Sequence, residues 1–180
     1  MTRRARDRME QFLEVLAFSA YKHRAQRRKD RHASAYINHP IELARVLHNE
    51  GGISDADTLS AAILHDTVED TQTTHAELAR KFGAGIAAVV MEVTDNKRLR
   101  KHTRKRLQIE HAPHLSRRAK LVKLADKICN LRDLRDHPPV GWSRARKREY
   151  FDWAKRVVDG LRGVHPALEK AFDREYRNRP

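Results

Sequence analysis

The sequence has few of the residues that cross-link or interrupt a chain. Its 180 residues include one cysteine, seven glycines and six prolines. The lone Cys129 excludes an intramolecular disulfide and favours a reducing compartment. Apolar runs such as residues 86–91 are too short to cross a bilayer, and the basic N-terminus lacks the apolar segment of a signal peptide. We therefore expect a cytoplasmic protein with no membrane partner.

Positive charge, by contrast, is abundant. Lysine and arginine number 38 against 24 acidic residues, which gives a formal net charge of +14. This excess favours a polyanionic partner, but it does not choose among nucleic acid, a phosphorylated small molecule and an anionic surface. Hydrophobic residues make up 39% of the chain, which is enough for a core, and the length fits one domain over residues 1–180.

The residue pattern predicts helices almost throughout. No segment shows the sustained apolar–polar alternation that is typical of a half-buried strand. Start and stop signals include Pro40, the pair Gly51-Gly52, a cap at Ser54 or Asp55, and the capping box Thr74-x-x-Glu77. The predicted helices cover residues 9–23, 41–50, 55–71, 75–82, 85–94, 97–106, 116–135, 143–161 and 166–176. We predict an all-α, single-domain helical bundle of about nine to ten helices.

The stretch ILHDTVEDT, residues 63–71, concentrates titratable groups behind an apolar run. On one continuous helix, Asp66, Glu69 and Asp70 share a face, where like charges repel. The apolar residues before them indicate a buried helix, and buried carboxylates need a partner or a cation. Taken alone, this stretch is more simply interpreted as the polar end of a core helix.

Two further segments supply groups of the same chemistry. Asp126, Asn130 and Asp133 follow one line at the edge of the apolar stripe of the 116–135 helix, and His39 directly precedes Pro40. Each segment alone fits an ordinary surface or ion-pair role. Together, His39, His65, Asp66 and Asp126 offer two imidazoles and two carboxylates, a set that suits Mn²⁺ or Fe²⁺, with zinc also possible. Glu69 and Asp70 are then candidates to move protons or to orient a water whose pKa the ion lowers.

The order of these residues resembles the H…HD…D signature of HD-domain phosphohydrolases. The neighbouring segments resemble the hydrolase domain of Rel/SpoT proteins, and particularly the small stand-alone alarmone hydrolases of the metazoan SpoT-homologue type and their bacterial relatives. The resemblance covers about residues 12–176, and the segments that carry it are RRKDRHASAYINHPIELARVL, AAILHDTVEDT, VVMEVTDNK, RKRLQIEHAP, AKLVKLADKICNLRDL and GWSRARKREYFDWA.

The resemblance implies a function and a set of site residues. It implies one Mn²⁺ ion held by His39, His65, Asp66 and Asp126. It also implies hydrolysis of the 3′-pyrophosphate of guanosine 3′,5′-bis(diphosphate), ppGpp or pppGpp, to GDP or GTP and pyrophosphate. The acidic pair Glu69 and Asp70 would activate or position the water. The implied substrate contacts are Arg28, Lys29, Asn130, Lys97, Arg104, Lys105, Trp142 and Tyr150.

Two other interpretations remain open from the sequence. One is a related HD phosphohydrolase that acts on another nucleotide, for example by releasing the 2′-phosphate of NADPH. The other is a basic nucleic-acid-binding protein that keeps the fold as a scaffold, which the charge of +14 allows. A binding module has no need of a complete set of four ligands and two acids, so we expect an enzyme with no required nucleic acid. The sequence predicts no particular oligomeric state.

Overall fold

The computed structural model describes the backbone of residues 3–180 and the side chains from residue 7 onward. This part of the chain forms ten α-helices and no strand, which confirms the all-α prediction. A π-helical turn, Val46–Glu50, extends α2, and a 3-10 turn, Ala112–His114, follows α7. The helices are α1 (Arg3–Lys22), α2 (Asn38–Arg45), α3 (Ala56–Leu64), α4 (Thr67–Asp70), α5 (His75–Phe82), α6 (Ala84–Val93), α7 (Lys101–His111), α8 (Arg117–Asp136), α9 (Arg144–Asp159) and α10 (Pro166–Tyr176).

Helix α3 lies at the centre of the bundle. It packs against α1, α2, α6 and α8. Its last four residues, from Ala61 to Leu64, are all buried, and the two small alanines among them let neighbouring helices approach closely. Because α3 ends inside the protein, the residues that follow Leu64 begin their turn in the core rather than at the surface.

Helix α8 forms the second structural axis. Leu121, Leu124, Ile128 and Leu131 are almost fully buried and face the core. Cys129 is buried beside them, and burial raises the pKa of its thiol well above the usual value. A thiol in this state is a core group rather than a nucleophile.

Local sequence signals set most helix starts. The side chain of Asp55 accepts a hydrogen bond from the Thr58 amide, and the Thr74 hydroxyl accepts one from the Glu77 amide. Ser116 and Ser143 cap α8 and α9 in the same way. The caps predicted at Ser54 or Asp55 and at Thr74 are therefore confirmed, with Asp55 rather than Ser54 at the start of α3.

Several predicted helix boundaries are wrong, and three of them lie next to the candidate site. The helix predicted through residues 63–71 breaks at Asp66 (φ −100°, ψ −1°), where the Thr67 hydroxyl donates to the Leu64 carbonyl, 2.7 Å away. The basic helix predicted over 97–106 begins only at Lys101, because residues 96–99 form a turn in which the Asn96 side chain accepts from the Arg98 amide. His39 lies in the first turn of α2 rather than in the preceding loop, since Pro40 is tolerated there.

The loop before α2, residues 23–37, is held in place by contacts between its own backbone groups. Loop 23–37 is held by an isolated antiparallel bridge between Arg27 and Ala35, with the Arg28 amide donating to the Ser34 carbonyl at 2.8 Å. This bridge places Arg28 and Tyr36 over the ends of α3 and α8.

None of the described helices combines the length and the apolar character needed to cross a bilayer.

Candidate active site

Three of the four predicted metal ligands converge at the centre of the bundle. Ligand atoms of His39, His65 and Asp126 all lie within 4.8 Å of one another. Nε2 of His39 is 3.2 Å and Nε2 of His65 is 4.0 Å from the same oxygen, Oδ1 of Asp126. Both imidazoles are 95% buried, so a cation held here would be largely withdrawn from solvent.

Asp66, the fourth predicted ligand, adjoins this cluster through His65. Its Oδ2 lies 3.0 Å from Nε2 of His65 and accepts a hydrogen bond from the Tyr36 hydroxyl. Burial would raise the pKa of Asp66, but the adjacent His65 lowers it well below the usual range, so Asp66 is a carboxylate. Burial and Asp66 together raise the pKa of Tyr36, which therefore remains a neutral phenol and a hydrogen-bond donor.

The predicted ligands His65, which directly follows α3, and Asp126 of α8 are oriented by short-range contacts. Nδ1 of His65 lies 2.8 Å from the Ala62 carbonyl and donates to it, which directs Nε2 towards Asp126. On Asp126, Oδ1 accepts from the Asn130 amide at 2.7 Å, and Oδ2 pairs with Lys127 at 2.8 Å. Each oxygen of this buried carboxylate therefore already has a partner from its own helix.

The electrostatics of the cluster fit a divalent cation. Burial lowers the pKa of His65, but the carboxylates of Asp66 and Asp126 overcome this and raise it to about 9. Two largely buried carboxylates thus favour positive charge at the point where the imidazoles meet. Nε2 of His65 is also buried without a hydrogen-bond partner among the described residues, as expected of an atom whose partner is a metal. Nitrogen and oxygen donors without a thiolate suit Mn²⁺, Fe²⁺ or Zn²⁺.

The two predicted acids lie beside the ligands and are already paired. Oε2 of Glu69 accepts from the Asp95 amide at 3.0 Å, and Oε1 lies 3.4 Å from the Arg104 guanidinium. Burial raises the pKa of Glu69 to about 6, a value suited to proton transfer near neutral pH. Asp70 forms an ion pair with Lys97.

Adjoining cavities extend from the ligands to the surface. A cavity of about 260 Å³ is lined by the four predicted ligands, Glu69 and Asp70, and it shares lining residues with a pocket of about 340 Å³. The predicted substrate contacts Arg28, Asn130 and Tyr150 lie at this junction, and Lys29 and Trp142 line the outer pocket.

The other predicted substrate contacts belong to a different wall. A third cavity, of about 540 Å³, is lined by Arg104 and Lys105 of α7, by Trp142 just before α9, and by Tyr150 and Trp153 of α9. Lys97 lines none of these three cavities and reaches the site through its pair with Asp70. All the predicted residues thus lie at or next to one connected site.

Sequence analysis did not single out several residues that complete this site. Tyr36 bonds to Asp66, Lys127 pairs with Asp126, and Trp153 packs its ring 4.5 Å from the Lys127 ammonium. Tyr36 precedes His39 by three residues, and this spacing is the one feature of the sequence that could have pointed to Tyr36 as a site residue. Lys127 follows Asp126 directly, and on a helix such neighbours do not usually face each other.

Comparison with known proteins agrees with this geometry. The family model described as "HD domain" matches residues 15–153. Relatives named "Guanosine-3′,5′-bis(diphosphate) 3′-pyrophosphohydrolase MESH1" include the Xenopus tropicalis protein, 57% identical over 161 residues (89% of this chain and 90% of the relative). The Homo sapiens protein of that name is 56% identical over 169 residues, 94% of each chain.

The fold is also similar to solved structures. One is described as "A metazoan ortholog of SpoT hydrolyzes ppGpp and plays a role in starvation responses"; it matches with a TM-score of 0.91 at 49% identity, over 94% of this chain and 95% of that chain. Another, the Listeria monocytogenes protein lmo0812, matches with a TM-score of 0.65 at 28% identity, over 77% of this chain and 91% of that chain. The chain therefore belongs to the HD-domain family and, within it, to the MESH1 group of the Rel/SpoT-type hydrolases.

Proposed function

We propose that this protein hydrolyses the 3′-pyrophosphate of guanosine 3′,5′-bis(diphosphate). Water attacks the phosphorus that is bonded to the ribose 3′-oxygen, the bond between that phosphorus and the 3′-oxygen breaks, and the 3′-oxygen leaves protonated as a hydroxyl. The products are pyrophosphate and GDP, or GTP from pppGpp. The observation that carries the proposal is the convergence of His39, His65 and Asp126 in one cavity with Glu69 and Asp70. Relatives that cover about nine-tenths of the chain bear the name of this activity.

The proposed cofactor is a single Mn²⁺ held by His39, His65, Asp66 and Asp126. When bound, the ion would polarise a phosphoryl oxygen and lower the pKa of a water molecule. The donor set consists of imidazoles and carboxylates, which suit Mn²⁺, and it lacks the thiolates that are typical of a structural zinc site. The role of the four side chains is to hold this charge at a fixed point between α2, α3 and α8.

Glu69 is the proposed proton acceptor. Its buried carboxyl, with a pKa raised to about 6, is deprotonated at neutral pH yet basic enough to take a proton from the attacking water. The Asp95 amide fixes one of its oxygens, and Arg104 lies next to the other. Asp70, one residue further along α4, is proposed to orient the same water.

The outer pocket is proposed to bind the nucleotide. Trp142 and Tyr150, whose ring centroids are 6.0 Å apart, offer aromatic surfaces for a purine. Positive charge for the phosphates is offered by Arg28 and Lys29 of this pocket and by Lys105 of the 540 Å³ cavity. An arginine can bind one phosphate through two hydrogen bonds at once. Asn130 lies one turn from Asp126, between the ligands and the outer pocket, where a ribose would lie.

The proposed setting is the cytoplasm, with a nucleotide as the partner and no required nucleic acid. The lone buried Cys129 is consistent with a reducing compartment. The acidic pairs around the site supply a catalytic arrangement that a nucleic-acid scaffold would not need.

The decisive experiment is to incubate the purified protein with ppGpp, with and without Mn²⁺, and to follow pyrophosphate release. We expect turnover that requires the ion. Turnover of NADPH to NADH and phosphate, without turnover of ppGpp, would replace the proposed substrate. Salt-sensitive RNA binding without turnover of either nucleotide would contradict the proposed activity.

A further inference from the structure

One of the two histidine ligands lacks the support that the other has. His65 donates its Nδ1–H to the Ala62 carbonyl, which fixes both its tautomer and its ring orientation. Nδ1 of His39 is also buried, but it makes no hydrogen bond to any described residue. A metal-binding imidazole almost always donates its second nitrogen to a carboxylate, a carbonyl or water, because this holds the ring and raises its basicity. His39 therefore needs an acceptor that the described ligand set does not provide.

Asp133 lies where that acceptor is needed. Its Oδ2 is 3.9 Å from Nδ1 of His39, about 1 Å beyond the usual N–H···O distance. Asp133 is on α8, two turns after the ligand Asp126, and its side chain is about one-third exposed, so it has room to turn. A cavity of about 320 Å³ lies on this side of His39, opposite the ligand cavity, and Asp133 lines it.

The same carboxylate is tied to the substrate pocket. Oδ2 of Asp133 forms an ion pair with Arg28 of loop 23–37. Arg28 lines the ligand cavity and the outer pocket, and it also borders the cavity behind His39. Asp133 thus pairs with Arg28, a proposed substrate contact, on one side and faces His39, a proposed metal ligand, on the other.

We propose that Asp133 is a positioning residue that links the metal ligand His39 to the substrate contact Arg28. It accepts the Nδ1–H of His39 and so directs Nε2 towards Asp126, while its ion pair holds Arg28 over the site. This inference rests on the proposed function, since it assigns Asp133 a part in that metal site. The carboxylate of Asp133 would therefore have two roles, and two different substitutions can test them separately.

The test compares Asp133→Ala with Asp133→Asn. Alanine removes the acceptor and the charge, so Mn²⁺ should bind about 10–100-fold more weakly and KM should rise. Asparagine keeps an acceptor oxygen for His39 but no longer pairs with Arg28, so Mn²⁺ affinity should stay close to that of the unaltered protein while KM alone rises. Calorimetric titration of the metal-free protein with Mn²⁺, without nucleotide, measures the first quantity, and steady-state kinetics with ppGpp at saturating Mn²⁺ measure the second.

The matched control is Asp136→Ala. Asp136 is on the same helix, three residues further, and pairs with Arg135 at the surface. It should change neither Mn²⁺ affinity nor KM. If Asp133→Ala melts below the assay temperature, Asp133→Leu replaces it, because leucine fills the space without offering an acceptor.

The outcomes separate this inference from the function on which it rests. Weaker Mn²⁺ binding in the alanine or leucine variant, recovered in the asparagine variant, supports the positioning role. Mn²⁺ binding as tight in Asp133→Ala as in the unaltered protein would overturn it, while ppGpp hydrolysis by the unaltered protein would leave the proposed function standing. If the unaltered protein neither binds Mn²⁺ nor hydrolyses ppGpp, the proposed function fails first, and this inference fails with it.

Discussion

The floor and the rim of the site are built in opposite ways. The floor consists of the proposed ligands His39, His65, Asp66 and Asp126, which are buried or largely buried. The rim consists of more exposed cations from loop 23–37, from α7 and from the turn before α7: Arg28, Lys29, Lys97, Arg104 and Lys105. Floor residues are fixed by the packing of α2, α3 and α8, whereas rim residues are held mainly by charge.

The charge pairs of the rim show what this difference means. Lys97 pairs with Asp70, Arg104 lies against Glu69, and Arg28 pairs with Asp133. Three rim cations therefore neutralise acids of the site itself. A substrate with several phosphates can replace those acids as the partner of the cations. The floor is thus preorganised by the fold, and the rim is arranged to exchange partners, so substitutions in the two regions should change different measured quantities.

The largest expected effect is that of Asp66→Ala in the floor. Loss of this carboxylate removes a ligand and the partner of His65, so Mn²⁺ binding and ppGpp turnover should both fall to the level of a metal-free control. Metal analysis after dialysis and pyrophosphate release measure the two losses. Asp57→Ala, which removes an exposed carboxylate of α3 that pairs with Arg118, is the control and should change neither. Turnover that survives Asp66→Ala would mean that the metal assignment is wrong.

Glu69→Gln should have the next largest effect, and it should separate chemistry from metal binding. If Glu69 accepts the proton of the attacking water, kcat should fall by about 10²–10⁴-fold while Mn²⁺ affinity is retained. Steady-state kinetics and calorimetry on the same preparation give both values. Glu110→Gln, which removes an exposed charge paired with Arg106 on α7, should leave kcat unchanged. An unchanged kcat in Glu69→Gln would transfer the proton-accepting role to another group.

The pH dependence of the reaction provides a further test of the same residue. Because burial raises the pKa of Glu69 to about 6, this carboxyl is protonated below that pH and cannot accept a proton there. We expect kcat/KM to rise with pH through about 6 and then to level off. The residual activity of Glu69→Gln should lack this rise. A profile that keeps the same limb in the variant would assign the limb to a different group.

Arg104→Ala tests the rim. A charge-assisted hydrogen bond contributes about 1.5–3 kcal/mol, and the partial exposure of Arg104 places it at the lower end, so KM should rise about 10-fold with Mn²⁺ affinity unchanged. Arg106→Ala, from the exposed face of the same helix, is the control. If Arg104→Ala weakened Mn²⁺ binding as much as Asp66→Ala does, the floor and the rim would not be separable.

The smallest expected effect is that of Trp153→Phe, which loosens the connection between α7 and α9. The Trp153 indole N–H donates to the Lys105 carbonyl at 3.0 Å, and phenylalanine keeps the apolar ring but removes this donor. The free energy of unfolding should fall by about 1 kcal/mol, as measured by urea denaturation. KM should rise slightly, because the rim residue Lys105 is less firmly held, and Mn²⁺ affinity should be unchanged. A large loss of Mn²⁺ affinity would show that this contact supports the floor.

Much of the fold could be predicted from the sequence because its signals are local. The caps at Asp55, Thr74, Ser116 and Ser143 act within three residues of the chain, and the apolar stripe of α8 is visible in its spacing. The resemblance to the HD-domain family named His39, His65 and Asp126 together without any knowledge of distance, and the structure brings these three together. These parts of the description needed no tertiary information.

The parts that could not be predicted depend on long-range contacts. The break at Asp66 separates residues that a single helix would have placed on one face, and its advantage appears only when Tyr36, 30 residues earlier, donates to Asp66. From the sequence, a lysine directly after Asp126 is expected to be exposed. The structure instead buries Lys127 against the ring of Trp153, 26 residues later, and this contact cannot be predicted from the local sequence. The start of α7 at Lys101 likewise follows from the turn at Asn96, which leaves Lys97 free to reach Asp70.

The positions of the tryptophans have a practical consequence. The protein has two, Trp142 and Trp153, and both line the 540 Å³ cavity. The Trp153 ring faces Lys127, which pairs with the proposed ligand Asp126, and the Trp142 ring lies 4.3 Å from the Arg146 guanidinium beside the proposed nucleotide pocket. Because tryptophan emission responds to nearby charge, the tryptophan fluorescence of this protein, excited selectively at long wavelength, reports on the candidate active site. Occupation of the floor and of the nucleotide pocket can therefore be followed separately with single-tryptophan variants, without an attached dye.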